Sequence, residues 1–329
     1  MSSGTGLRFP ARFLQANLFY DVLPINSDRY ASMTTQKHLL ITISDNTENL
    51  FGVRFVRSFF NDLAPHLITL LHINRIDTHS MIPSLTEMWE DDEKPDGQQL
   101  TFKAKRAIEN AKNVFKDSNL AIDQMIVKTA TERYGKVKDI LTEGAKGCYD
   151  AIVLGRRASY ALQWIFERPA NEIHQSMLRE YRCTVPLWIC PESDQNRRNI
   201  LLCVDGSASS LRAADHVGYI LAPEAQHQIT LFHVLSAIPS RDDLQIFKEA
   251  ETILTGHGIG ADRIKRQSAR GISVAGSIQS EGEKGQYAAV VLGMHGHNEP
   301  AKENKFFQAE GTVSKLINKI EKTALWCCP

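Results

Sequence analysis

The sequence predicts an α/β protein made of two tandem doubly wound domains, each with a five-stranded parallel sheet. Three observations support this prediction: the length of the chain, an internal repeat, and the apolar character of short segments within the repeat. At 329 residues the chain is longer than one typical domain of roughly 100–200 residues and suits two. Its hydrophobic content of 43% and charged content of 23% are ordinary for a folded globular chain.

Four segments recur in the same order in the two halves of the chain. The pairs are 41–45 and 201–205, 68–73 and 229–234, 142–155 and 280–293, and the Leu-Trp-x-Cys-Pro segments 187–191 and 325–329. Between the second and third pairs the separation falls from 160 or 161 residues to 138, so the first half carries an insertion there, within 77–102. Its acidic, proline- and glycine-containing composition predicts a surface loop. Such a repeat indicates two copies of one folding unit.

The repeated apolar runs predict strands, and the segments between them predict helices. The runs are short, rich in Val, Ile and Leu, and lack strict alternation, as expected of strands buried on both faces of a parallel sheet. Apolar residues recur at helical spacing in 105–115 and 210–221. This alternation predicts right-handed βαβ units. We assign domain 1 to 37–192 and domain 2 to 197–329, joined by a polar linker, and leave 1–36 as an extension of unassigned structure.

Charge and cysteine usage exclude several classes of protein. The formal net charge is zero, and the only notable run of like charge is 90–93, which argues against nucleic acid or an anionic membrane as a partner. No apolar stretch reaches the ~20 residues that a membrane span needs. Residues 1–13 do not resemble a secretion signal, so we expect a cytoplasmic protein. The six cysteines form no C-x-x-C pair, which favours reduced, buried thiols over disulfides or a zinc site.

In a doubly wound sheet a ligand binds beyond the carboxyl ends of the first and fourth strands. Glycines there let the backbone approach an anion, and the first amides and hydroxyls of the following helix can donate to phosphate oxygens. A carboxylate after the first strand can accept from a base amine or a ribose hydroxyl, and a histidine in the glycine loop can bind a phosphate. The residues of domain 2 that fit these roles are Asp205, Gly293, His295, Gly296, Gly311, Thr312, Val313 and Ser314.

At these residues the chain resembles the universal stress protein family, over nearly all of its length after residue 36. Members carry Val-Asp-Gly-Ser after strand 1 and Gly-x2-Gly-x9-Gly-Ser/Thr from strand 4 into the last helix, which 204–207 and 293–314 resemble. The resemblance implies a Rossmann-like, adenine nucleotide alpha hydrolase-like fold and a role in stress response. It also implies binding of ATP or another adenine nucleotide, with or without magnesium, and dimerisation. Through the 232–234 segment it adds Val234 to the site.

Both halves depart from the family pattern. In domain 2 the interval between Gly296 and Gly311 holds 14 residues, 297–310, instead of 9, and a loop tolerates such an insertion at small cost. In domain 1 Gly155 remains, but Ala158 replaces the second glycine and the pair 168–169 is Arg-Pro. Because proline has no N–H, one phosphate donor is lost. We therefore expect nucleotide binding in domain 2 only, with domain 1 as its structural partner.

The repeated histidines and tryptophans also have predicted places. His72 and His233 are expected to pack at strand ends rather than to ligate a metal, because no His/Cys/Asp cluster converges on them in sequence. Trp188 and Trp326 belong to the two last strands, whose edges must be paired or covered. We expect these strands to meet across a pseudo-twofold axis, so that the chain mimics a dimer of single domains. A homodimer of whole chains stays open.

The sequence is compatible with three functions. The first is a stress-response protein that binds an adenine nucleotide in domain 2. The second is a protein-interaction scaffold without nucleotide, in which 297–310 occludes the site. The third is a slow ATPase, against which stand the absence of a Gly-x4-Gly-Lys-Ser/Thr loop and of a carboxylate pair for magnesium. The sequence thus favours a binding protein over an enzyme, with no catalytic or metal-ligating residue assigned.

Overall fold

The computed structural model describes residues 36–45, 49–74, 100–155, 183–192, 194, 196–235, 243–294, 312–317 and 319–329. All of them belong to one compact unit, Thr35–Pro329. The predicted extension, apart from its last residue, and most of both predicted insertions lie outside the described residues. Within these residues no helix is both long and apolar enough to cross a membrane.

Strands and helices alternate along most of the described chain in each half, as the repeat predicted. In the first half they are β1 (His38–Ile43), α1 (Phe51–Phe59), β2 (Leu67–Asn74), α2 (Phe102–Phe115), β3 (Met125–Thr131), α3 (Lys136–Lys146), β4 (Ala151–Gly155) and β5 (Leu187–Cys190). In the second half they are β6 (Ile200–Cys203), α4 (Ala208–Leu221), β7 (Ile229–Leu235), α5 (Asp243–Gly256), β8 (Ile264–Arg270), α6 (Val274–Lys284), β9 (Ala289–Gly293), α7 (Thr312–Ile317) and β10 (Ala324–Cys328).

The strands form one sheet in the order β3-β2-β1-β4-β5-β10-β9-β6-β7-β8. Each half contributes five parallel strands in the doubly wound order 3-2-1-4-5. At the centre β5 and β10 pair antiparallel, with Trp188 opposite Trp326. The predicted fold class is confirmed, and so is the predicted meeting of the two last strands.

Helices cover both faces of the sheet. One apolar core includes Val53 of α1, Ala107 of α2, Val217 of α4 and Phe247 of α5. The core on the opposite face includes residues of the remaining helices: Ile140 of α3, Ile278 of α6 and Leu316 of α7. Because both faces are covered, most residues of the central strands are buried, which explains their continuous apolar runs.

The seam between the halves is built on a pair of stacked indoles. Trp188 and Trp326 are fully buried, with ring centroids 3.9 Å apart and planes within 1°. Phe55 lies edge-on to both, at 6.2 and 6.4 Å, and His216 lies on their other side at 5.8 and 5.9 Å. His216 Nε2 accepts a hydrogen bond of 3.0 Å from Trp188 Nε1. Phe55 holds the equivalent place and has no acceptor, so the buried Trp326 Nε1 has no hydrogen-bond partner among the described residues.

Candidate functional site

The loop between β6 and α4 fixes a carboxylate at the carboxyl edge of the second half. Gly206 has a φ of 75°, a conformation that glycine adopts without steric cost, and it turns the chain directly into the helix. Ser207 caps α4 by accepting a 3.1 Å hydrogen bond from the Ser210 amide. Asp205 Oδ1 in turn accepts from the Ser207 amide at 2.9 Å. The Asp205 carboxylate is therefore held at the start of α4, where the sequence placed it.

Gly293 ends β9, the strand that pairs with β6, and the first and fourth strands of this half therefore flank one crevice. A Cβ on Gly293 would lie 2.6 Å from the carbonyl carbon of Ser209 and 2.7 Å from its Cβ. Ser209 is itself fixed by a 3.1 Å hydrogen bond from its hydroxyl to the Cys328 carbonyl. Gly293 therefore lets α4 pack closely against the end of β9. The sequence predicted a glycine here for the approach of an anion and gave no indication of this packing role.

The structure describes four of the other predicted site residues, Val234 and the three consecutive residues Thr312, Val313 and Ser314. Val234, near the carboxyl end of β7, packs against the same apolar core that contains Val313. Val313 is buried, whereas its neighbours Thr312 and Ser314 in α7 are partly exposed. The predicted residues His295, Gly296 and Gly311 lie outside the described residues.

The two repeated histidines are buried at strand ends, as predicted. His233 donates through Nδ1 to the Val204 carbonyl at 2.6 Å, and His72 donates in the same way to the last carbonyl of β1 at 3.0 Å. Each Nε2 lies near a carboxylate, Asp243 at 3.3 Å and Asp45 at 3.4 Å. Within the described residues no group of three or more His, Cys, Asp or Glu could hold a metal ion. Asp243, the first residue of α5, is a neighbour of the site that the sequence analysis missed.

The strand registers correct one part of the sequence alignment. Leu39 pairs with Ile68 and Ala151, and its counterpart Ile200 pairs with Ile229 and Ala289, a shift of 161 positions. The alignment of 41–45 with 201–205 was therefore wrong by one residue, because a run that is apolar on both faces carries no alternation to fix the register.

With the corrected register, Ser44 occupies the place of Asp205 in the first half. Asp45 falls one residue later, at the place of Gly206, and lies against His72. The first helix also begins differently, since Leu50 at its N-cap makes no side-chain hydrogen bond. The predicted losses at Ala158 and at 168–169 lie outside the described residues.

Buried basic groups lie along the seam, away from this crevice. Burial lowers the pKa of His216 to about 3 and that of His66 to about 4, so both imidazoles are neutral in the folded protein at pH 7. Burial also lowers the pKa of Lys37, to about 8, against the opposing charge of Asp150. The cysteine thiols are free, and all except Cys148 are buried.

Comparison with known structures identifies the fold. A universal stress protein from Archaeoglobus fulgidus DSM 4304 aligns with a TM-score of 0.53 and 15% identity, over 88% of this chain and 95% of that one. A putative universal stress protein from Pseudomonas aeruginosa UCBPP-PA14 gives 0.49 and 11%, over 89% and 92%. A universal stress protein in complex with cAMP gives 0.32 and 19%, over 40% and 95%. No protein-family model and no curated protein sequence matches the chain.

Proposed function

We propose that this chain, which has the fold of universal stress proteins, is a cytoplasmic stress-response protein that binds one adenine nucleotide, ATP foremost, in its second half. The observation that carries the proposal is the position of Asp205 beside Gly293, at the carboxyl ends of neighbouring strands. This is the point where strand order reverses and where doubly wound sheets bind their ligands.

The base and ribose end of the nucleotide is assigned to Asp205 and Val234. A carboxylate has about four acceptor sites, so Asp205 can accept from a ribose hydroxyl or an adenine amine as well as from the Ser207 amide. Val234 offers a partly buried apolar side chain on the adjacent strand, suited to one face of a purine.

The phosphate end is assigned to the glycine loops and to the first turn of α7. Thr312 and Ser314 are partly exposed residues that carry hydroxyls, and helix-initiating amides favour anions. Gly296 and Gly311 would let the backbone approach the phosphates, and His295 would donate to one of them. Magnesium, when it accompanies ATP, would be bound through phosphate oxygens.

The first half is proposed to be structural. Ser44 stands where the second half has Asp205, and a serine hydroxyl cannot supply the charged acceptor. Its contribution is the seam, which pairs β5 with β10 and replaces the interface that two separate single domains would form.

The direct test is to purify the protein, denature it and identify any released nucleotide, and then to titrate ATP calorimetrically. Wild type is expected to bind, Asp205→Ala and Gly311→Val are expected to lose binding, and the first-half control Ser44→Ala is expected to bind as wild type does. Binding that survives both site substitutions would contradict the assignment. Absence of binding in wild type would favour the scaffold alternative, and steady release of inorganic phosphate would favour the ATPase alternative.

A further inference from the structure

The two outer edges of the sheet are formed by β3 in the first half and β8 in the second. Both strands pair on their inner side with equivalent neighbours, since Met125 lies opposite Ile68 and Ile264 lies opposite Ile229. Positions of β3 and β8 are therefore related by a shift of 139 residues, from 125 to 264. Because the two edges hold the same place in the repeat, each is an internal control for the other.

The β8 edge is protected by basic side chains. Lys265, Arg266 and Arg270 are exposed along it, and Arg266 is ion-paired with Glu251 of α5. Charged side chains on an edge strand hinder its pairing with another chain. The second half therefore ends in an edge that suits exposure to solvent.

The β3 edge has apolar side chains at the same positions. Ile126 stands where β8 has Lys265, and Val127 stands where β8 has Arg266. Ile126 is 45% exposed and Val127 is 37% exposed, while Ile122, in the turn that leads into β3, is 93% exposed. A strand edge that is both exposed and apolar is a site for pairing with another strand.

The exposed apolar side chains lie on both faces of β3. Lys128 Nζ lies 2.6 Å from Glu143 of α3, and side chains alternate along a strand, so Ile126 lies on the α3 face. Met125 packs against the core on the opposite face, and Val127 therefore lies on that face. A partner docked on one face of the sheet would cover only one of these two side chains. A strand added to the edge would continue both faces.

The backbone of β3 also offers hydrogen bonds outward. The Glu132 amide donates to the Asn74 carbonyl of β2 at 2.8 Å, and alternate residues of a parallel strand bond to the same neighbour. The even-numbered residues of β3 thus face β2. The odd-numbered residues point their amides and carbonyls away from it, where the described residues offer them no partner: Met125, Val127, Thr129 and Thr131.

We infer that β3 pairs antiparallel with β3 of a second copy of this chain, about a twofold axis through Val127. Lys128 is the one charged residue of β3, and its ion pair with Glu143 leaves the edge without a net charge that an identical edge would repel. An axis through Lys128 would set two ammonium groups directly opposite each other, which is destabilising. With the axis through Val127, the aliphatic stem of Lys128 covers the partner's Ile126.

The centre of the sheet already shows the same kind of pairing. There the equivalent strands β5 and β10 pair antiparallel across the pseudo-twofold axis. A closed twofold dimer is the commonest assembly of identical chains, and this one would hide both copies of β3 while leaving the protected β8 edges outermost. The interface is separate from the seam, which lies within one chain.

Sedimentation equilibrium of the full chain over a range of concentrations is the measurement. Wild type is expected to show a monomer–dimer equilibrium with a Kd of about 10 µM. The double variant Ile126→Lys, Val127→Arg copies the side chains of β8 and is expected to raise this Kd about tenfold or more. Because β8 forms with these residues, the variant is expected to fold. The control Ile272→Lys makes the same change at a fully exposed isoleucine in the loop after β8 and is expected to dimerise as wild type does.

Cross-linking tests the register. Cys148 is the exposed thiol among the cysteines, so the variants are made in a Cys148→Ser background. Residues directly opposite in a hydrogen-bonded antiparallel pair have Cα atoms about 5.5 Å apart, which a disulfide can span. Mild oxidation is therefore expected to link Val127→Cys into a covalent dimer and to leave Thr131→Cys unlinked.

Three results would overturn the inference: a wild type that stays monomeric well above the expected Kd, a dimer that the double variant leaves intact, and a dimer that Val127→Cys does not link. A monomer whose β3 amides nevertheless resist hydrogen exchange would show that a segment of the same chain covers the edge, which overturns it equally. None of these results depends on ATP, so the inference and the proposed function can fail separately.

Discussion

Replacing His216 with phenylalanine tests the asymmetric seam most sharply, because the variant copies onto α4 the side chain that Phe55 presents from α1. The ring and most of its packing against the two indoles are kept, whereas the acceptor for Trp188 Nε1, 3.0 Å away, is removed. A buried donor left without a partner costs about 1–3 kcal/mol. We therefore expect His216→Phe to lower the free energy of unfolding by that amount at pH 7.5.

The same substitution removes a titrating group, which makes the effect depend on pH. The pKa of His216 is lowered by burial to about 3 in the folded protein, from about 6.5 in the unfolded chain. Its stability contribution is therefore complete above pH 6.5 and is lost as pH falls, because the unfolded chain binds a proton that the folded protein does not. At pH 5 this linkage lowers the free energy of unfolding of wild type by about 2 kcal/mol. The variant lacks the imidazole and is not destabilised in this way.

The assay is guanidinium unfolding of both proteins at pH 7.5, 6 and 5, followed by tryptophan fluorescence, with the denaturant slope compared to confirm that the same surface unfolds. The advantage of wild type is expected to shrink as pH falls and to be close to zero near pH 5. The pKa of His66 is also lowered by burial. His66 therefore lowers the stability of both proteins by the same amount as pH falls, and its effect cancels in the difference between them. A wild-type advantage that stays constant from pH 7.5 to 5 would refute a neutral, hydrogen-bond-accepting His216.

Two further predictions each have a matched control in the other half, and urea unfolding measures both. Gly293→Ala forces a Cβ to within 2.6 Å of the Ser209 backbone and is expected to lower the free energy of unfolding by about 2 kcal/mol or more. In the control Gly155→Ala the nearest atom to the new Cβ lies at 3.7 Å, and the free energy of unfolding is expected to change by less than about 0.5 kcal/mol. Equal losses in the two variants would contradict the packing role of Gly293. Arg263→Met removes a buried guanidinium that donates to three backbone carbonyls and is expected to cost about 2–4 kcal/mol. The counterpart Gln124→Ala removes two exposed hydrogen bonds, one accepted from the Ala121 amide and one donated to the Ala64 carbonyl, and is expected to cost less, about 1 kcal/mol. A similar loss in both variants would show that the buried hydrogen bonds of Arg263 stabilise the fold no more than exposed ones do.

The fold could be predicted because its signals are local and repeated. Short apolar runs without alternation indicated buried parallel strands, and the recurrence of Leu-Trp-x-Cys-Pro placed Trp188 and Trp326 at equivalent strand ends. Pairing those two ends is a general solution to an exposed sheet edge, and the structure adopts it. The presence of Asp205 and Gly293 at one crevice likewise followed from strand order alone.

What could not be predicted depends on registers and on contacts between distant segments. Strands that are buried on both faces carry no alternation, so the sequence did not show that Ser44, rather than Asp45, is equivalent to Asp205. The neighbour of His233, Asp243, comes from the start of a different helix, beyond a loop. Phe59 of α1 and Ala288 of the other half line one cleft, an arrangement for which the sequence contains no signal.

We propose that one half of this chain, and not both, holds an adenine nucleotide. Native mass spectrometry of the intact protein titrated with ATP tests it most directly, because it counts ligands per chain. We expect saturation at one nucleotide per chain, reduced to none by Asp205→Ala and unchanged by Ser44→Ala. Saturation at two nucleotides, or loss of binding caused by Ser44→Ala, would contradict the claim that the first half is structural.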